Sequence, residues 1–274
     1  MMRVVILGCS SSAGVPVIAC ECKVCSSDIA YNKRSRCALL IFPNWQEGVG
    51  GEQDKPILID FGCDIRSQIL RARVKSIACA ILTHSHYDHC AGLDDLKYFA
   101  YQSDSTLNII TNKASADDLR ANFGYLFQDN LMQKVGRGEE RSREGRKVMS
   151  LEVISDFEEK MISNLNFRFF RQIHGKTDSL GMRINDFVYS NDVSAFPEES
   201  KEYLHNIDVW ILDCVRYKAN SKHFGLEDVL KLDQEYRPKK MYLTNLSHEL
   251  EYHKLLSELP LHIEPCYDMM SFMI

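Results

Sequence analysis

Long apolar runs are missing from this sequence. Nowhere does the chain approach the roughly 20 consecutive apolar residues of a membrane-spanning helix, so no membrane association is expected. The opening Met1–Gly8 carries one charge and too short an apolar stretch for a secretory signal; it reads as a first core strand. An excess of positive charge is missing too. With 33 Lys+Arg against 38 Asp+Glu the formal net charge is −5 and the pI is near 6.0, which disfavours nucleic acid as a partner, because a polyanion needs a basic face. Without a secretory signal, the ten cysteines point to reduced thiols, metal ligation and a cytoplasmic location rather than to disulfides. No linker divides the chain and no short-period repeat runs through it. Residues 1–274, 45% hydrophobic and 26% charged, are therefore read as a single soluble domain with length for a sizeable core.

What the chain does have is concentrated in Thr83-His84-Ser85-His86-Tyr87-Asp88-His89. It follows the apolar run Ile77–Leu82, which reads as a buried strand delivering three imidazoles and a carboxylate into a loop. His84 and His86 alternate on an extended chain and point the same way, whereas Asp88 and His89 are adjacent and diverge. That spacing suits two metal ions better than one. A second cluster, Cys20-Glu21-Cys22-Lys23-Val24-Cys25, sets three thiols within six residues. They can converge on one structural zinc if a distant fourth ligand completes the tetrahedron. Cys9, Cys37, Cys63, Cys79, Cys90, Cys214 and Cys266 sit singly, mostly in apolar runs, and read largely as core.

Gly8–Pro16 is a small-residue loop, either a tight surface turn or a place of close approach. Further strands are expected at 36–42, 56–62, 106–111, 151–155, 167–173, 209–213, 240–244, 262–264 and 271–274. A hairpin is expected from 180–184 through Asn185-Asp186 to 187–190. Helices are expected at 65–73, 92–101, 114–123, 197–204, 225–236 and 250–259. Asp60 closes a strand in Asp-x-Gly and, read alone, caps the helix that follows. His174 and Asp192 also stand at strand ends. Asn44–Lys55 reads as a Gly-rich loop, and Gln133–Lys147, with almost nothing apolar, as a mobile solvated insertion. Two strand-rich halves, each followed by helices, imply two packed sheets with helices outside.

His84-x-His86-x-Asp88-His89, with Asp60, His174 and Asp192, resembles the metallo-β-lactamase superfamily over nearly the whole chain. The resemblance implies an αββα sandwich of α+β class with an N-terminal zinc loop and a dinuclear site at one edge. His84, His86 and His174 would hold one ion, Asp88 and His89 a second, Asp192 would bridge, and Asp60 would support the ligands from behind. Gly8–Pro16, the cysteine cluster and Leu243–Glu249 look like the PhnP-type cyclic phosphodiesterases. In that family the three thiolates and a histidine, here His248, bind one structural zinc. The chain departs from the family at Asn245, where a ligand imidazole is usual. A neutral amide oxygen is a weaker ligand, so the second ion is expected to be loosely held zinc, manganese, or absent. Lys222-His223-Phe224 resembles the segment whose histidine reaches the substrate phosphate.

The implied activity is hydrolysis of a small or cyclic phosphodiester, through a metal-activated water with Asp88 and His223 serving the chemistry. A homodimer is compatible with this reading. Rival readings are a lactone or thioester hydrolase on the same fold, a tRNA-processing nuclease, which the acidic charge balance disfavours, and a non-catalytic carrier on a degenerate scaffold like the Cys-x-Cys-x-x-Cys proteins of pyrroloquinoline-quinone synthesis.

Overall fold

The computed structural model describes residues 1–45, 55–128 and 147–274. The Gly-rich loop expected at 44–55 and the insertion expected at 133–147 lie almost wholly outside the described residues. In chain order the first half gives β1 (Arg3–Gly8), β2 (Ala38–Phe42), β3 (Ile57–Ile59), α1 (Ile65–Ala72), β4 (Cys79–Ile81), α2 (Tyr87–Cys90), α3 (Leu93–Ser103), β5 (Leu107–Asn112), α4 (Lys113–Phe123) and β6 (Met149–Ile154). The second gives β7 (Glu159–Ile162), β8 (Leu165–His174), β9 (Thr177–Ile184), β10 (Phe187–Ser190), β11 (Val209–Asp213), α5 (Leu226–Tyr236), β12 (Lys240–Thr244), α6 (Tyr252–Glu258), β13 (Ile263–Pro265) and β14 (Ser271–Met273).

Among the described residues the strands form two seven-stranded sheets, ordered β14-β1-β2-β3-β4-β5-β6 and β13-β12-β11-β10-β9-β8-β7. The central strands are near-continuous apolar runs because both of their faces are buried, and the period of two divides them between layers. In β1, Val4 and Ile6 enter the core between the sheets, while Val5 and Leu7 meet Ile65, Ile69, Leu93 and Leu96 of the helices outside. β11 does the same on the other side: Ile211 faces the other sheet, and Trp210 and Leu212 pack with Val229 of α5 and Leu255 of α6. The result is a four-layer αββα sandwich of α+β class. Each fully buried Leu or Ile contributes roughly 1.5–3 kcal/mol, so the three apolar layers hold the strand ends in fixed relation.

Strand direction brings those ends together. β3 runs parallel to β4, so Asp60 and Thr83-His84 leave the first sheet at the same edge. β8 and β10 both pair antiparallel with β9, and β10, β11 and β12 are mutually parallel. His174, Asp192, Asp213 and Asn245 therefore all emerge at one edge of the second sheet, and Leu180 N–H donates to Thr83 O at 3.0 Å to join the two edges. Gly62 lets the β3–α1 turn pass close to α2: a Cβ there would lie 1.8 Å from Asp88 O.

Two local readings differ from the structure, and a third, open between two alternatives, is decided by it. Residues 159–162 form an edge strand that pairs with β8, unsignalled because only Ile162 is buried. The helix expected at 197–204 is a 3-10 segment, Glu198–Leu204, with only Ser200 and Leu204 buried. The Gly8–Pro16 loop is a place of close approach, since Leu246 N–H donates to Cys9 O at 2.8 Å.

Candidate metal centre

The edge where the sheets meet gathers side chains from six strand ends. His84 and His89 are buried, as are Asp60, Thr83, His174, Asp192, Asp213 and Asn245. Asp60, Asp192 and Asn245 adopt left-handed backbone, with φ of 58°, 52° and 62°, a region that Asp and Asn tolerate better than most side chains but at some cost. Strain at three ligand-type residues on one edge is the signature of a site whose geometry is imposed by the surrounding packing.

Asp60 does not cap α1, whose N-cap is Asp64 without a side-chain cap bond. It turns inward and accepts from Thr83 N–H at 2.8 Å and from the Thr83 hydroxyl at 3.0 Å. That hydroxyl has one hydrogen, already directed at Asp60, so toward His84 Nδ1, 3.1 Å away, it accepts. His84 Nδ1 therefore carries the proton and Nε2 offers its lone pair. His174 is set the same way, its Nδ1–H donating to Lys222 O at 2.9 Å. The free nitrogens converge on His86: His84 Nε2 and His86 Nδ1 are 2.8 Å apart, and His174 Nε2 and His86 Nδ1 are 3.2 Å apart. Two ligands on one tetrahedral ion at 2.0–2.1 Å would be roughly 3.3 Å apart. Burial pushes the pKa values of all three imidazoles down, which favours the neutral form a metal requires.

Beside this triad, His89 Nδ1 lies 2.8 Å from Asp60. His89 Nε2 lies 2.9 Å from Asp192 Oδ2 and 3.4 Å from Asp88 Oδ2. Burial disfavours the His89 cation, but the Asp192 and Asp60 carboxylates outweigh it and raise its pKa well above the ordinary value. Asp192 Oδ1 is 3.7 Å from His174 Nε2, so its two oxygens face the two halves of the site. Asn245 Nδ2 lies 3.4 Å from Asp192 Oδ1 and 3.2 Å from His223 Nδ1.

His223 is held over the site by Asp213, whose Oδ2 is 2.8 Å from its Nδ1 and also accepts from Val193 N–H at 3.0 Å. Burial raises the Asp213 carboxyl to about 6, against the pull of His223. Burial also acts against the His223 cation, but Asp213 prevails and its pKa is raised.

Three residues beyond Asn245, His248 Nδ1 lies 3.3, 3.6 and 3.5 Å from the Cys20, Cys22 and Cys25 sulfurs. Bond lengths of 2.3 Å to sulfur and 2.0–2.1 Å to nitrogen give a tetrahedral edge of roughly 3.6 Å. The four side chains thus stand at ligand spacing. Val17 N–H donates to Cys25 Sγ at 3.3 Å and Cys25 N–H to Cys22 Sγ at 3.4 Å. The Cys25 N–H, with the neighbouring thiols, lowers Cys22 to about 6. Burial instead pushes Cys25 up to about 11. All ten cysteines are free; of the seven outside the cluster six are buried and Cys63 is exposed.

A family model described as beta-lactamase superfamily domain matches residues 55–245. The chain is a metallo-β-lactamase superfamily protein. Within the superfamily it is PhnP-like: a solved structure of a new diphosphatase from the PhnP family superposes with a TM-score of 0.84 at 27% identity, covering 99% of this chain and 97% of that one. Zn2+-bound PqqB from Methylobacterium extorquens shares the fold, with a TM-score of 0.70 at 16% identity over 99% of this chain and 100% of that one. Among curated proteins, an octanoyltransferase of Porphyromonas gingivalis (strain ATCC BAA-308 / W83) is 28% identical over 275 residues. The match takes in 100% of this chain but 52% of that protein, so the chain spans about half the length of this relative.

The superfamily implies divalent metal, and the residues present fit it. Asp192 Oδ2 is buried and receives no aligned hydrogen bond, although His89 Nε2 is 2.9 Å away. A carboxylate oxygen and an imidazole nitrogen this close, with neither aimed at the other, are arranged for a shared third body. Among the described residues, four groups of side chains could hold an ion, each with ligand atoms within 4.8 Å of one another: Cys20, Cys22, Cys25 and His248; His84, His86 and His174; His84, His89 and Asp192; and His174, Asp192 and His223. The sequence reading passed over Asp213. Its signal was available: a carboxylate at the end of β11, beside strands that also end in Asp or Asn.

Proposed function

We propose that this metal-dependent hydrolase cleaves a phosphodiester linkage in a small molecule. His84, His86 and His174 would hold one ion; His89, Asp88 and Asp192 would hold a second, more weakly because Asn245 offers only an amide. Zinc or manganese suits these ligands, and zinc suits the cysteine centre with His248. Divalent metal bound there would lower the pKa of a water and offset charge on the phosphoryl oxygens. The acidic net charge of −5 favours a small substrate over a nucleic acid.

The observation that carries the reading is the Asp213–His223 pair. Asp213 engages Nδ1, which also lies 3.6 Å from Asp192 Oδ1, and so leaves Nε2 as the free nitrogen of the ring. Asp213 favours the protonated form of this histidine, whose Nε2 proton would then pass to a departing alkoxide, which cannot leave unprotonated at neutral pH. Such donors contribute roughly 10²–10⁴-fold. The PhnP-family diphosphatase that this chain resembles over 99% of its length supports phosphorus chemistry. A second reading, acyl thioester hydrolysis, is favoured by the half-length match to an octanoyltransferase.

The two readings separate at His223. A thiolate leaves without a proton, as does p-nitrophenolate. His223→Gln is expected to slow hydrolysis of an alkyl phosphodiester by roughly 10²–10⁴-fold, while bis(p-nitrophenyl) phosphate changes far less and metal content holds. Equal slowing of both substrates would remove the proton-donor role. Thioester turnover by the wild type, with no phosphodiester cleaved, would favour the second reading.

A further inference from the structure

Beside the cysteine centre a cation lies buried without a carboxylate partner. Arg34 is 2% exposed, and among the described residues no carboxylate stands within ion-pair distance of its guanidinium. Its Nε and Nη1 are buried and make no hydrogen bond. Nη2 donates to Ser247 O at 3.2 Å and to Leu250 O at 2.7 Å, two carbonyls that flank His248 in the chain. A buried cation left uncompensated is strongly destabilising, so its surroundings are searched for an anion.

Burial acts against the charge of Arg34, and the ionised forms of Cys9, Asp268, Glu251 and Cys25 act for it. Cys9 is fully buried, which holds its thiol well above the ordinary value and so neutral. Asp268 is paired with Arg71 at 3.0 Å and accepts from Ser35 N–H. Glu251 reaches solvent and accepts from Asn32 Nδ2 and Lys254 N–H. Cys25 is left, and with it the thiol cluster. Three thiolates and a neutral imidazole around a dication retain one negative charge, the complement of one guanidinium.

The backbone sets Arg34 between the two halves of that cluster. Arg34 and Val15 exchange both of their main-chain hydrogen bonds, at 2.9 and 2.8 Å, and Val15 packs with Val24 and Cys25 in a small buried group. Two residues earlier, Asn32 Nδ2 donates to Ser27 Oγ at 3.3 Å, just past the thiol loop, and Asn32 Oδ1 accepts from Tyr252 N–H at 2.9 Å. Residues 32–34 therefore join the thiol loop to the segment that carries His248, which Cys22 follows at a distance of 226 residues in the chain.

We infer that Arg34 is a positioning residue of the cysteine centre, its fork fixing the carbonyls that flank His248 and its charge balancing the zinc-bound thiolates. This role holds whatever the reaction at the imidazole centre.

The test uses the full chain and three variants. Arg34→Met keeps the stem alone, Arg34→Gln a donor without charge, and Arg34→Lys the charge without the fork; far-ultraviolet circular dichroism checks the fold of each. Cobalt in the cysteine centre gives a near-ultraviolet band in which an electron passes from sulfur to metal, and the imidazole centre, without thiolate, gives none. Removal of cobalt by a chelator of known affinity, followed at that band, reads the cysteine centre by itself. The two neutral variants are expected to bind the metal about 10–100-fold more weakly, the range for partners behind metal ligands, and Arg34→Lys to recover most of that loss. The band should move to longer wavelength in the neutral variants, because no cation then holds the sulfur electrons, and stay in place in Arg34→Lys. Wild-type affinity in the neutral variants, a loss in Arg34→Lys as large as in Arg34→Gln, or an unmoved band in the neutral variants would each overturn the assignment. Should Arg34→Met fail to fold, Arg34→Gln against Arg34→Lys decides the matter by the same readings.

Discussion

The two ligand clusters of this chain differ in how they are closed. The cysteine centre draws three ligands from one six-residue loop and a fourth from His248, more than 220 residues on. All four of its positions are filled by protein. The imidazole centre draws His84, His86, Asp88 and His89 from the run after β4 but its other groups from five further strand ends, and Asn245 at one of them faces Asp192 and His223. A tetrahedral ion with four protein ligands has no place for substrate or water, whereas one with fewer does. On the proposed reading, imidazole would serve with thiols as a staple in one place and with carboxylates as an open reaction site in the other. The difference lies in vacancy and in backbone strain: Asp60, Asp192 and Asn245 hold left-handed backbone, while Cys20, Cys22, Cys25 and His248 do not.

The contrast breaks most visibly at Cys22. Cys22→Ser is expected to remove the ion of the cysteine centre and to lower stability by several kcal/mol, a fraction of the roughly 10–16 kcal/mol that structural zinc brings to small zinc-dependent folds. The ion at His84, His86 and His174 should stay. Metal analysis by mass spectrometry together with a thermal melt measures both; an unchanged melting temperature would show that the loop needs no staple.

Asp60→Asn tests the opposite member. It removes the charge that orients His89 and, through Thr83, His84, and is expected to weaken metal at the imidazole centre by about 10–100-fold while the cysteine centre keeps its ion. Competition with a chelator of known affinity reads the change, and equal weakening at both centres would mean that Asp60 acts on the fold rather than on the site. The smallest effect is expected at Asn245. Asn245→His places an imidazole at the fourth corner and should tighten the second ion by about tenfold, raising occupancy in a zinc or manganese titration from fewer than two ions toward two at that edge. Unchanged occupancy would place the weak ligand elsewhere.

How much of this could be read from the chain depended on the range of the interaction involved. The αββα layering was legible because two strand-rich halves are each followed by helical stretches, and apolar runs such as 4–7 and 38–41 are local signals. The cysteine spacing and the His84–His89 run were legible for the same reason. The β7 edge was not: Glu159-Lys160-Met161-Ile162 buries one side chain, and backbone pairing to β8, not an apolar stripe, makes it a strand. Asp60 was read first as a cap because a carboxylate before a helix is a short-range cue. Its actual partners, Thr83 and His89, are 23 and 29 residues away.

By itself, then, the sequence determined the repertoire: which side chains could bind metal, how they are spaced along each loop, and which faces of each strand seek the core, since all of these follow from residue chemistry and local periodicity. Only the tertiary structure decided their use. β8 and β10 must run the same way beside β9 for His174 and Asp192 to share an edge. Asp60 and Asn245 must adopt left-handed backbone, and the β11–α5 loop must fold back for His223 to meet Asp213. Those arrangements depend on contacts across the sandwich, which no stretch of the chain specifies alone.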